Sequence, residues 1–216
     1  MPTDSARQPA AYSRRRPLFP PVARAAVAVV AVLGSVLTGC GDGSPKSAAI
    51  DSTASGQAVQ ASTMRASMPV SVEIPDLKMT SRVISLGLNK DRTVAVPPIE
   101  KNDPVGWYKH SPTPGEIGPS VLLGHVTVGR YGHGVFFHLR DISKGDLILV
   151  RRKDNSTARF TVDQVKKYPK DKFPTDQVYS NTTTAQLRVI TCAGDISSRT
   201  GEYLDNLIVF ASLKTS

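Results

Sequence analysis

The chain has 216 residues, enough for one domain or one domain and a tail. Apolar residues make up 40% and charged residues 21%, which excludes a wholly disordered chain, and sixteen glycines and sixteen prolines are too few for a collagenous one. Two cysteines cannot build a disulfide-dense scaffold or a four-cysteine zinc site. The net charge is +9, and part of the excess is local, because Arg7, Arg14, Arg15, Arg16 and Arg24 face only Asp4 in the first forty residues. The rest of the excess is modest and suits an anionic envelope polymer or a lipid headgroup surface. No basic helix, zinc-finger spacing or aromatic-interleaved run is present, so nucleic acid is not an expected partner.

Residues 1–40 have the texture of an export address. Arg14-Arg15-Arg16 precede an apolar run from Ala25 to Leu37, a basic region followed by a hydrophobic one of signal-peptide length. The run is short for a spanning helix, which needs about 20 residues. Leu37-Thr38-Gly39-Cys40 closes it and resembles a bacterial lipobox, in which the cysteine is acylated and becomes the new N-terminus. An uncleaved anchor and simple secretion are the other readings. The lipobox and the anchor both place the rest of the chain outside the cytoplasmic membrane and tied to it.

Residues 41–67 are rich in Gly, Ser, Ala, Asp, Gln and Thr and carry few large apolar side chains, so they read as a flexible tether. From residue 68 to 216 the chain reads as one compact, all-β domain. Strands are expected at Val70–Ile74, Arg82–Leu86, Thr93–Val96, Val121–Val126, Val135–His138, Leu147–Arg151, Arg159–Val165, Leu187–Cys192 and Leu207–Ala211. Pro97-Pro98, Pro114-Gly115, Lys144-Gly145-Asp146 and Asp154-Asn155 punctuate them as turns. Short helices are expected around Phe137–Ile142 and Thr175–Ser180. Many short strands at this spacing predict a barrel or a sandwich.

Cys192 is the residue to explain. If Cys40 is lipidated, Cys192 has no partner, and an unpaired cysteine in an exported domain reads either as a reactive thiol or as a small buried hydrophobe. A Cys40–Cys192 disulfide is a third reading. Cys192 ends the run Leu187-Arg188-Val189-Ile190-Thr191-Cys192, and strand alternation sets Arg188, Ile190 and Cys192 on one face. A free thiol has a pKa of about 8.5 and needs help to act as a nucleophile, usually from a histidine. Of the four histidines, His110 and His133 lie in loops and read as surface residues, and His138 follows Phe136-Phe137 and could pack on them. His125 follows the apolar Val121-Leu122-Leu123-Gly124, and Gly124 leaves room for something to approach. The histidine spacing does not suit a metal, and no cofactor is expected.

His125 followed by an Ile190-Thr191-Cys192 strand end resembles the sortases, cysteine transpeptidases of Gram-positive envelopes with an eight-stranded β-barrel. The resemblance spans about residues 67–216 and is closest to the class F sortases of actinobacteria. It rests on Ile74-Pro75, Leu86-Gly87-Leu88, Val105-Gly106-Trp107-Tyr108, Pro114-Gly115-Glu116, Gly118-Pro119, Gly124-His125-Val126, Val135-Phe136-Phe137, Gly145-Asp146, Tyr203 and Asp205-Asn206, in that order. It departs from the class after the cysteine, where Ala193-Gly194-Asp195-Ile196-Ser197 stands instead of Gly-Gly and a Phe-Asp pair, and at Thr127, where Asp is common.

The resemblance implies a catalytic cysteine (Cys192), a histidine acid/base (His125) and an arginine on the following strand. The position expected for that arginine holds Asn206, which could itself give a hydrogen bond. The nearest arginine is Arg199 in the preceding loop, and it is the candidate for the third catalytic residue, with Arg188 read as structural or superficial. The implied reaction is cleavage of an LPxTG-type sorting signal between Thr and Gly, with transfer of the acyl group to an envelope amine such as a cell-wall precursor peptide. The alternative is a non-catalytic, membrane-tethered β-domain that binds envelope peptides.

Overall fold

The computed structural model describes residues 63–214, so the expected export signal, lipobox and most of the tether lie outside the described residues. Eight strands form the barrel: β1 (Pro69–Ile74), β2 (Met79–Leu86), β3 (Val105–Tyr108), β4 (Gly118–Leu123), β5 (Leu147–Arg152), β6 (Thr157–Pro169), β7 (Ala185–Ile196) and β8 (Tyr203–Leu213). They close in the order β1-β2-β3-β4-β7-β8-β6-β5. Most neighbours are antiparallel, while β2 with β3 and β4 with β7 run parallel. Closure leaves no open sheet edge.

Alternation along the strands sorts side chains between two apolar clusters. Leu187 and Val189 of β7 face Ala211 and Val209 of β8 and fill the barrel interior. Ile190 of β7, with Ile208 and Phe210 of β8, points outward and is covered by Val178 of the five-residue helix α1 (Thr175–Tyr179). A helix this short has little stability of its own, and burial of Val178 at 0% exposure holds it on the sheet. β4 is buried on both faces, with Val121 in the outer cluster and Leu122 in the inner one, which explains its nearly unbroken apolar sequence.

Several expectations are corrected. Thr93–Val96 is not a strand. It folds back on Gly87–Asn89 through a Leu88–Val94 bridge and the Ala95 N–H to Gly87 carbonyl bond, and Pro97-Pro98 then denies a ladder its donors. Val135–His138 is a series of turns leading into a 3-10 turn at Leu139–Asp141, because Phe136 plugs into the core and the Phe137 N–H turns back to Gly134. β4 ends at Leu123, two residues before His125.

β3 was not expected. Its Gly106 reads as a breaker, but a Cβ there would sit 2.0 Å from Leu86 Cδ1, so the glycine is what lets β2 and β3 pack. The last tether residues dock on the barrel. The Met64 N–H donates to the Gly115 carbonyl at 2.8 Å, the Ser67 N–H donates to Thr113 Oγ1 at 3.0 Å, and the buried Arg152 guanidinium donates to the Arg65 carbonyl.

Candidate active site

β4 and β7 run parallel, with Leu123 paired to Ile190. Beyond that pair the contact continues through side chains and loop. The Gly124 N–H donates to the Ile190 carbonyl at 3.2 Å, and the Thr191 hydroxyl donates to the Gly124 carbonyl at 2.8 Å. The next residues along the two segments are His125 and Cys192. The register therefore sets the two sequence-predicted residues, 67 positions apart, on neighbouring strands. Contrary to expectation Cys192 does not end its strand, because β7 stays paired with β8 as far as Ile196, while His125 lies two residues past the end of β4.

His125 is held from three sides. Its carbonyl accepts from the Phe136 N–H at 2.9 Å. A Cβ on Gly124 would lie 2.4 Å from Phe136 Cδ2, so only glycine lets the phenyl ring support the turn that presents the imidazole. Nε2 lies 2.8 Å from the Pro97 carbonyl oxygen. A carbonyl only accepts, so Nε2 carries the proton in this bond and Nδ1 is the nitrogen left to exchange one.

Asp103 adds a negative charge to this side. Its Oδ2 accepts from the Val135 N–H at 2.8 Å, and its Oδ1 is buried without a partner. Burial raises its carboxyl pKa, opposed by the Val135 hydrogen bond and the nearby His125. Sequence reading missed Pro97 and Asp103, since a backbone acceptor has no residue signature and Asn102-Asp103-Pro104 reads as a turn.

Cys192 is partly buried and unpaired. Burial pushes its thiol pKa up, the Lys170 ammonium pulls it down, and Glu202 pushes it up again. Lys170 opens a 3-10 turn at the end of β6, and its Nζ lies 3.8 Å from a Glu202 carboxylate oxygen. Asn206 is paired directly with Cys192 across β7 and β8 and is 6% exposed.

Arg199 is not among the charges that bear on the Cys192 thiol. β7 ends at Ile196, and Arg199 sits exposed in the turn before β8, making no hydrogen bond or ion pair with another described residue. Arg188 is structural. It is 5% exposed, its Nε donates to the Gln177 carbonyl at 3.1 Å, and its guanidinium lies 4.8 Å over the Phe210 ring. The other histidines are exposed. His110 meets Tyr108 edge-on, His133 stacks on Phe137 at 3.4 Å, and His138 pairs with Asp141. No cluster of metal ligands occurs among the described residues.

The partly buried thiol on β7 and the oriented imidazole just past β4 are the candidate cysteine–histidine pair of this closed barrel. The chain belongs to the sortase family of cysteine transpeptidases, because its sequence matches the Sortase domain over residues 72–214. The eight-stranded barrel is the sortase fold. Solved structures with the same fold include a lid mutant of sortase A from Corynebacterium diphtheriae, at 20% identity and TM-score 0.52, covering 70% of this chain and 74% of that one. Sortase C from Clostridium perfringens SM101 matches at 17% identity and TM-score 0.50, covering 71% and 73%. Streptococcus agalactiae sortase C1 in complex with MTSET matches at 16% identity and TM-score 0.52, covering 72% and 71%. A comparison with curated proteins found no match.

Proposed function

We propose that this chain is a class F-like sortase that cleaves an LPxTG-type sorting signal between Thr and Gly and passes the acyl group to an envelope amine. The observation that supports the reading is the parallel β4–β7 contact, in which the Thr191 hydroxyl, one residue before Cys192, bonds the Gly124 carbonyl, one residue before His125.

In this mechanism the Cys192 thiolate attacks the threonine carbonyl carbon. A C–S bond forms, and the carbonyl π pair moves to oxygen. Collapse of the tetrahedral species breaks the Thr–Gly C–N bond, and the His125 imidazolium gives its proton to the departing amine. The incoming amine attacks the thioester and loses a proton to His125, and the C–S bond breaks to return the thiolate. Nδ1 of His125 is the proton carrier, because Nε2 is engaged by Pro97. Thiol burial keeps thiolate scarce at neutral pH, which favours slow turnover.

The domain acts outside the cytoplasmic membrane, tethered by its N-terminal segment. Fractionation of Cys40→Ser tests the anchor: release from the membrane supports lipidation, and retention supports an uncleaved helix.

Incubation of the full chain and of Cys192→Ala with an LPxTG-type peptide, with and without an added amine, tests the activity by intact mass. A thioacyl adduct on the unaltered chain alone, and an amine-bearing product, support the reading. Failure of the folded, alkylation-reactive chain to be acylated by any such peptide overturns the substrate class. A thiol silent to alkylation overturns the nucleophile.

A further inference from the structure

Attack on an acyl carbon leaves a negative oxygen that needs a hydrogen-bond donor and, in a partly buried site, a positive charge. Arg199 stands exposed in the β7–β8 turn and is not among the charges that bear on the thiol. Two other groups have these properties, one on β8 and one in the turn that follows β6.

The first is Asn206. Cys192, Asn206 and Tyr168 form one row across β7, β8 and β6. Side chains directly opposite in antiparallel strands share a face, so the amide of Asn206 lies beside the thiol. Asn206 is 6% exposed, and its Nδ2 is buried with no hydrogen-bond partner. Buried donors in native proteins are nearly always paired. An orphan amide beside a nucleophile is a donor whose acceptor arrives with the ligand.

The second is Lys170. It lies two residues beyond Tyr168 on β6, where the strand passes into a 3-10 turn, and its side chain is 23% exposed. Glu202, at the entrance to β8, holds the ammonium at 3.8 Å. The charged groups that bear on the thiol are Lys170 and Glu202, with the Lys167–Asp205 pair at 3.5 Å on the neighbouring rows and His125 across on the β4 side. Lys170 is the cation among them whose charge favours the thiolate, and it sits at the end of the strand that carries Tyr168 in the Cys192 row.

We propose that Asn206 and Lys170 divide between them the work of a single oxyanion-stabilising cation, Asn206 donating the hydrogen bond and Lys170 supplying the positive charge. The inference rests on the acyl-transfer reading of Cys192, but not on the identity of the peptide.

The test therefore uses 4-nitrophenyl acetate as a generic acyl donor. Acetyl transfer forms the thioester on Cys192 and expels 4-nitrophenolate, and Cys192→Ala gives the background. Iodoacetamide alkylation, which develops no oxyanion, is followed against pH on the same full-length variants. Asn206→Ala is expected to slow Cys192 acylation by roughly 10²-fold while leaving alkylation unchanged. Asn206→Asp, of the same shape but with an acceptor in place of the donor, is expected to be at least as slow.

Lys170→Met is expected to slow both reactions, alkylation at neutral pH by roughly tenfold, and Lys170→Arg to restore both. Glu202→Gln moves the alkylation profile the opposite way, toward lower pH. A folded Asn206→Ala or Asn206→Asp that acylates like the unaltered chain overturns the inference. So does a Lys170→Met profile that superimposes on it. If the chain takes acetyl from the ester but no sorting peptide, the variant pattern still decides this inference, and only the proposed peptide substrate fails.

Discussion

The Thr191 hydroxyl, one residue before the thiol, donates a 2.8 Å hydrogen bond to the carbonyl of Gly124, one residue before the imidazole. This bond joins the two segments where the regular pairing of β4 with β7 ends, and each catalytic candidate is the next residue after it. Thr191→Val keeps the shape and removes the donor. It is expected to cost about 1–2 kcal/mol in denaturant unfolding. Peptide transfer should lose more in kcat than in KM, because the displaced histidine matters for proton transfer and not for binding. Equal transfer rates would show that the strand ends keep their alignment without this bond.

Gly124→Ala should be more damaging. The new methyl would meet Phe136 Cδ2 at 2.4 Å and Val135 Cγ1 at 2.8 Å, and Phe136 is 1% exposed, so the ring has nowhere to go. The expected cost is about 1–3 kcal/mol by thermal or chemical unfolding. Thiol alkylation should persist in the folded fraction while acyl transfer falls with the displaced His125.

Asp103 is a carboxylate held at a cost. Burial raises its pKa above the unfolded value. The native state therefore binds this proton more readily than the unfolded chain, and the group's contribution is favourable below the unfolded pKa and lost as pH rises through the native one. Asp103→Asn keeps an acceptor for the Val135 N–H and removes the charge. It should raise Tm by roughly 1–3 °C at pH 7, with the gain shrinking as pH falls into the carboxyl range. A gain that is independent of pH would remove the electrostatic explanation.

The thiol follows the same logic in its reactivity. Burial raises the Cys192 pKa, Lys170 partly offsets this, and Glu202 adds to it. Iodoacetamide should alkylate Cys192 more slowly at neutral pH than a free cysteine, with a rate that climbs through the alkaline range. A rate already at its plateau at pH 7 would show a thiolate stabilised by something beyond these groups.

Arg188 should behave as a structural residue. Its guanidinium bonds the Gln177 carbonyl of α1 and lies over Phe210 of β8, tying helix to sheet. Arg188→Ala is expected to cost about 2–4 kcal/mol, and Arg188→Lys nearly as much, because a lysine has no planar fork to repeat the stack and the bond. Alkylation of Cys192 in the folded fraction should be unchanged for both variants, measured at equal folded concentration.

Legibility in the sequence varied with the range of the cause. β1, β5, β6, β7 and β8 could be placed because their alternation or apolar runs are local patterns. β3 could not, because the reason for Gly106 is Leu86, twenty residues earlier. Val135–His138 has strand-forming residues but is held in turns, because Phe136 is needed in the core against Gly124. Cys192 and His125 stood out by residue type and by their neighbours. The surroundings that tune them did not, since a proline carbonyl, a lysine at a strand end and an orphaned amide carry no signature until the barrel closes.

The order of short strands, the unpaired thiol, the histidine after a small residue and the family resemblance were all present in the chain by itself. Each depends on neighbours a few residues away or on residue identity alone. Tertiary structure decided which nitrogen of His125 meets the Pro97 carbonyl, that Asn206 pairs with Cys192, and that Arg199 stands exposed in the β7–β8 turn. Those outcomes follow from strand register, which sets residues far apart in sequence side by side, and no local pattern encodes it.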